Sequence, residues 1–338
     1  MWNREITIID TQNKVESYGR IDEITDDYCK AVKDAELIFI TVPSFLIKKT
    51  FDKISPYVKE NASIGVIPGT GGAEFFISDI LDKGCTFFGT QRVPGIARIK
   101  EYGKSVYMTG RRKLMYLAAI PTNNTNKICN LLFDLFNIEC EPLNNYLCVT
   151  LTPSNPILHT TRLYNIFKDY IPGTCWEKNI AFYEAWDNET SELLFKCDSE
   201  LQELCFNLNK MDLSAVKSLK LHYEANTYEE LTAKIRSIPA FKNIYAPMIR
   251  TNEGYIPDFE SRYFTEDFPY GLCIIKGFCT IANVDTPNID QVLRWYERFF
   301  NQEYFTETGF NGRNLNNSAV PQLFGLRSKS DIYNFYGI

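Results

Sequence analysis

Histidine is scarce here: His159 and His222 are the only two in 338 residues. The ten cysteines include no C-x-x-C pair, so the usual ligand sets of a structural zinc site are missing. Scattered thiols in a chain of this size read as small buried hydrophobes. No stretch approaches the roughly 18 uninterrupted apolar residues of a membrane-spanning helix. Positive charge is in deficit: 36 Lys and Arg against 42 Asp and Glu give a net charge of −6, with no long basic run. That argues against a nucleic-acid or anionic-membrane partner, because phosphate-rich surfaces need a basic face. Met1-Trp2-Asn3-Arg4-Glu5 contains no apolar core of signal-peptide length, so a cytoplasmic protein is expected. No G-x-G-x-x-G occurs anywhere.

What is present is ordinary globular composition, 45% hydrophobic and 23% charged, in a chain long enough for two cores. The first half alternates strand and helix patterns. Strands are expected at 37–42, 63–67, 86–89, 106–109 and 114–119, and helices at 45–58, 73–81 and 125–136. Near-continuous apolar strands joined by helices predict a parallel sheet covered on both faces. Ligands of such sheets sit beyond the carboxyl ends of the strands, here Val42, Pro43 and Ser44, and Gly69, Thr70, Gly71 and Gly72. Glycines there allow close backbone approach to a cofactor; a tight turn is the structural alternative.

From Pro153 onward helical patterns dominate, at 157–167, 180–208, 228–238, 269–281 and 289–300. Domains are expected at 1–146 and 147–338, α/β and then all-α. Tyr183, Trp186, Leu194 and Leu201 recur at helical spacing and read as core packing; His222 reads as a helix-surface or packing residue. Two segments stand apart. Asn155-Pro156-Ile157-Leu158-His159 places a proton carrier at a Pro-marked helix start. Arg262-Tyr263-Phe264-Thr265-Glu266-Asp267-Phe268-Pro269-Tyr270-Gly271 crowds a base and two acids at a Pro/Gly turn. A carboxylate bonded to an imidazole fixes its tautomer and raises its proton affinity, so His159 with Asp267 is a working acid/base pair. Capping a helix N-terminus is the other duty open to either acid.

A sheet domain followed by a helical domain bearing N-P-x-x-H and R-x-x-T-E-D-x-P-Y-G-L resembles the octopine/nopaline (opine) dehydrogenase family. The likeness extends through Ile24-Thr25-Asp26-Asp27, Pro68-Gly69-Thr70-Gly71-Gly72-Ala73-Glu74-Phe75 and 91–98. It implies a Rossmann-like sheet domain followed by a helical domain of the 6-phosphogluconate dehydrogenase C-terminal type. The implied reaction is NAD- or NADP-dependent reductive condensation of an amino acid with a 2-oxo acid such as pyruvate. By the same resemblance, His159 and Asp267 form the catalytic dyad, Arg262 anchors the 2-oxo acid carboxylate, and Asn155 orients substrate. Gln91 and Tyr270 are further substrate-site candidates.

The chain departs from the family pattern at its start. Members usually open with a strand, a G-x-G-x-x-G/A turn and a helix; residues 6–10 offer a strand, but no glycine turn follows it. A truncated sheet domain is therefore expected, with an uncovered sheet edge that favours self-association. The alternative function is a catalytically silent small-acid-binding or interaction protein derived from the family.

Overall fold

The computed structural model describes residues 4–338; Met1, Trp2 and Asn3, which open the segment read above for a leader, lie outside the described residues. The chain forms two compact units. One comprises the chain up to Val42, Ile47–Gly69 and Phe76–Tyr146; the other comprises Pro43–Leu46, Thr70–Phe75 and Leu147–Ile338.

In chain order the first 142 residues give β1 (Glu5–Asp10), β2 (Val15–Arg20), α1 (Tyr28–Val32), β3 (Leu37–Ile40), α2 (Ser44–Ile54) and β4 (Ser63–Val66). These are followed by α3 (Ser78–Leu81), β5 (Thr86–Thr90), β6 (Gly95–Glu101), β7 (Ser105–Arg111), β8 (Leu114–Ile120), α4 (Thr125–Phe136) and β9 (Glu139–Pro142). The main sheet runs β3-β4-β5-β8-β9. Its first three strands are parallel, as their apolar runs predict; β8 enters antiparallel to β5 and β9 lies parallel to β8. Gly65 on β4 is where the Phe88 ring lies, since a Cβ there would fall 2.2 Å from its Cζ. Ile128, Cys129 and Leu132 of α4 pack with Phe88, Met115, Leu117, Ala119 and Ile138 in the core of this unit. That burial is the main stabilising term of the sheet.

The strand expected at 6–10 forms as β1, but in a second sheet ordered β2-β1-β7-β6, not as the opening strand of the parallel set. The chain turns back at once because Asp10 accepts from the backbone N–H groups of Gln12 and Asn13, each at 2.9 Å. This side-chain-closed turn makes a hairpin where a glycine loop would lead into a helix. Among the described residues β3 bonds only β4 in the main sheet, and Phe39 is 36% exposed.

The second unit carries α5 (Leu147–Thr150), α6 (Ser154–Phe167), α7 (Asn188–Asn207), α8 (Leu219–Tyr223) and α9 (Tyr228–Ser237). A two-stranded hairpin follows, β10 (Met248–Arg250) and β11 (Tyr255–Pro257), then α10 (Arg262–Thr265), α11 (Cys273–Ala282), α12 (Pro287–Phe300) and α13 (Lys329–Phe335). The hairpin is the departure from the all-helical expectation. The helix expected from 180 begins only at Asn188, because Asp187 caps it by accepting from Thr190 N at 2.8 Å. Residues 180–187 are consequently irregular.

Two short segments join this unit from the first half of the sequence. Phe75 stacks on Phe324, with ring centroids 4.6 Å apart, and packs on Phe278 and Phe335. Beside it Glu74, only 1% exposed, accepts from the Thr150 hydroxyl and from the Tyr336 hydroxyl, the latter at 2.8 Å. Among the described residues its second oxygen has no partner, and burial pushes its carboxyl up to about 7. No helix among the described residues is long and apolar enough to cross a membrane. All ten cysteines are free thiols, six of them buried.

Candidate active site

Asn155 and His159 lie one turn apart on α6, so they share a face of that helix. Ile157, Leu158, Thr160 and Thr161 turn into the core, leaving the imidazole at the edge of the helix's buried face with 13% of its side chain exposed.

Asp267 arrives from the other segment. Between α10 and α11 the chain makes a wide π-helical turn, Phe268–Leu272, in which Leu272 N donates to Asp267 O at 2.9 Å. Such turns recur at functional sites because they swing a side chain off the regular helical rows. Gly271 lets the turn close on α6: a Cβ there would sit 3.1–3.3 Å from three atoms of Pro156. Asp267 stands at the N-cap position of this turn, but among the described residues its side chain makes no capping bond.

The two segments meet at 2.8 Å, His159 Nδ1 to Asp267 Oδ2, although 108 residues separate them. Burial pushes the Asp267 carboxyl above the usual carboxylate range, while the charge and hydrogen bond of His159 pull it back. The other imidazole nitrogen, Nε2, lies 3.0 Å from the Tyr183 hydroxyl. The Tyr263 ring stands 4.7 Å from the imidazole, and Phe182 meets it edge-on at 5.8 Å. An ionised Asp267 accepts a hydrogen bond from Nδ1–H, so Nε2, facing the Tyr183 hydroxyl, is the nitrogen that gains or loses a proton.

Arg262 lies on α10, with 67% of its side chain exposed. Its Nε donates to Glu266 Oε2 at 2.9 Å. Among the described residues its terminal nitrogens have no partner, which leaves the planar fork open to a carboxylate. The other Glu266 oxygen accepts from Ser44, at 3.0 Å from N and 2.7 Å from Oγ.

The remaining residues singled out from the sequence fall as follows. Asn155 is exposed and Tyr270 half-buried. Gln91 belongs to the sheet unit, half-buried, with its N–H bonded to Tyr116 O at 3.0 Å. Val42 and Pro43 follow β3 and are half-buried; Ser44 is buried, with both donors committed to Glu266. Gly69 bonds Thr90 O through its N–H and accepts from the Tyr146 hydroxyl, each at 2.8 Å.

Gly71 and Gly72 have φ of +85° and +70°, values that favour glycine. A Cβ at Gly71 would lie 2.6 Å from Ser44 Oγ, and one at Gly72 would lie 2.7 Å from the Ala319 methyl. These glycines are therefore required by packing, the tight-turn alternative weighed above. Among the described residues, however, the backbone N–H groups of Thr70, Gly71 and Gly72 donate to no protein acceptor. That feature fits a bound acceptor group. Sequence reasoning missed Tyr183 as a neighbour of the imidazole, and missed Ser44 and Glu266 as partners.

Residues 142–300 match the family model described as NAD/NADP octopine/nopaline dehydrogenase, alpha-helical domain. Tauropine dehydrogenase of Arabella iricolor is 28% identical over 318 residues, 88% of this chain and 79% of the relative. Octopine dehydrogenase of Pecten maximus is 28% identical over 346 residues, 96% of this chain and 86% of the relative. Residues 142–300 thus carry the likeness of that family's helical domain, and the chain is similar to opine dehydrogenases over most of its length. Its fold is the family's Rossmann-like sheet plus helical domain. An octopine dehydrogenase structure solved with NADH and L-arginine superposes with a TM-score of 0.85 at 24% identity, covering 99% of this chain and 87% of that one.

Proposed function

We propose that this chain is an opine dehydrogenase, catalysing NAD(P)H-dependent reductive condensation of an amino acid with a 2-oxo acid. The amine adds to the carbonyl, water leaves to give an imine, and reduction at the imine carbon gives a secondary-amine dicarboxylate. The observation that carries this reading is the hydrogen-bonded pair His159–Asp267, flanked in sequence by Arg262 with its terminal nitrogens open. His159 supplies the proton that the departing oxygen needs, and Asp267 stabilises the imidazolium and holds the ring. Arg262 takes the 2-oxo acid carboxylate and Asn155 orients the bound acid; Gln91 and Tyr270 are proposed as further substrate contacts. The nicotinamide cofactor, when bound, supplies the hydride. The unpartnered N–H groups of Thr70, Gly71 and Gly72 are its proposed contact in this unit, with Val42, Pro43, Ser44 and Gly69 as the remaining residues assigned to it from the sequence.

Following NADH or NADPH oxidation with a 2-oxo acid, with and without an amino acid, tests the proposal. Oxidation that requires both is expected; oxidation by the 2-oxo acid alone would make the chain a simple 2-oxo acid reductase. A second reading, a silent small-acid-binding protein, is favoured by the absence of G-x-G-x-x-G and by the commitment of both Ser44 donors to Glu266. Failure of NADH and NADPH at millimolar concentration to raise the melting temperature would select it.

A further inference from the structure

The imidazole of His159 is held at both nitrogens, by Asp267 at Nδ1 and by the Tyr183 hydroxyl at Nε2, 2.8 and 3.0 Å away. Tyr183 is fixed in turn. Its ring lies nearly parallel to Phe241 at 4.0 Å between centroids and parallel to Trp186 at 6.2 Å, and the residue is 5% exposed. Trp186, wholly buried, is itself tied by Nε1 to Ser191 Oγ at 2.9 Å. The backbone on either side is anchored, with Phe182 N on Ile244 O at 2.7 Å and Trp186 N on Tyr183 O at 3.1 Å. A hydroxyl on so constrained a ring is a fixed point, not a swinging arm.

We infer that Tyr183 is a positioning residue for the proton donor, acting through His159 Nε2. This rests on the reaction proposed above. A hydroxyl is both donor and acceptor. It donates to Nε2 when the imidazole is neutral and accepts from Nε2–H when the imidazole is charged, so the ring keeps one orientation through both protonation states. With Asp267 on Nδ1, it also selects the Nδ1–H form of the neutral ring. The other groups around the imidazole do not share this task. Tyr263 and Phe182 offer it ring faces or edges, and the carboxylate of Glu266 is taken by Ser44 and Arg262.

The test is Tyr183→Phe, which retains the stacked ring and removes only the oxygen. The chain has two histidines, so ¹⁵N spectra of the imidazoles are readily assigned by comparison with a His222→Gln variant. In Tyr183→Phe the Nε2 resonance of His159 is expected to move while its Nδ1–H bond to Asp267 persists. In turnover kcat should fall about ten- to a hundredfold, the range for loss of a partner that orients a reacting group, with KM for both substrates within about twofold. An unmoved Nε2 resonance overturns the assignment whether or not the chain is active. A moved resonance with unchanged kcat overturns the role in positioning. A wild-type chain that oxidises no NAD(P)H with both substrates present refutes the reaction and with it that role, and the resonance then decides the contact alone.

Discussion

Ser44 gives both of its donors, backbone N–H and hydroxyl, to one oxygen of Glu266, whose other oxygen holds Arg262 Nε. The carboxylate thus fixes the guanidinium by its side and leaves its fork outward. Glu266→Gln keeps the shape but lacks the charge and cannot accept with both ends. KM for the 2-oxo acid is expected to rise about tenfold with a smaller change in kcat, the pattern of lost ground-state binding. Arg262→Lys, which has no fork, should do the same or worse. Steady-state kinetics with the 2-oxo acid varied decide this, and an unchanged KM in both variants would remove Arg262 from the substrate site.

Asp267→Asn keeps the volume but removes the charge that stabilises the imidazolium, and its amide can turn the wrong group toward Nδ1. A fall in kcat of about 10²–10⁴-fold is expected, the usual contribution of a positioned acid–base group. Cofactor binding, followed by NADH fluorescence, should be unaffected, so a variant that loses both has been misassigned.

Glu74 gives a pH signature in stability rather than in rate. Its carboxyl is held up to about 7 in the folded chain, against 4.5 ordinarily, by burial. Between those values the folded state keeps a proton that the unfolded chain has released, so stability is highest below the lower value and falls as pH rises through the upper one. The loss is about 3 kcal/mol across that window. Asp198, raised to about 6 by burial, adds a loss in the same direction. Melting temperatures of the wild type and Glu74→Gln from pH 4 to 8 check this: the variant's curve should be the flatter. Parallel curves would mean that Glu74 stays ionised.

Two glycines with the same backbone twist should respond differently to alanine. Gly72 (φ +70°) meets the Ala319 methyl, whereas Gly103 (φ +72°) has nothing within 4 Å. Gly103→Ala is expected to cost about 1 kcal/mol from conformation alone. Gly72→Ala should cost about 2–4 kcal/mol once overpacking is added. Urea denaturation of both variants gives the comparison, and equal costs would mean that the Thr70–Phe75 segment relaxes freely.

The parallel strands of the sheet were legible because each is an apolar run closed by Pro, Gly or a charged turn, and α4 was legible from its periodicity. β2, β6 and β9 were not, since their exposed and charged residues carry no alternating apolar signal; in none of the three is a residue buried. The pairing of His159 with Asp267 was readable as two chemically unusual segments, one imidazole in a chain nearly without them and one acid at a Pro/Gly turn. Tyr183 was hidden because it sits at helical spacing with Trp186 and Leu194, which reads as a continuous apolar face. The Asp187-x-x-Thr190 cap that ends that pattern was the available signal. The Ser44–Glu266 contact spans 222 residues, and neither segment carries a mark of the other.

The Glu74–Tyr336 bond joins groups 262 residues apart, and the aromatic staple beside it ties Phe75 to Phe324. A growing chain on the ribosome therefore exposes Phe75 and the buried carboxyl beside it until Phe324 and Tyr336 have been made and have emerged. Closure of the helical unit around this loop thus waits for those later segments, and helper proteins that shield apolar segments have a long opportunity there.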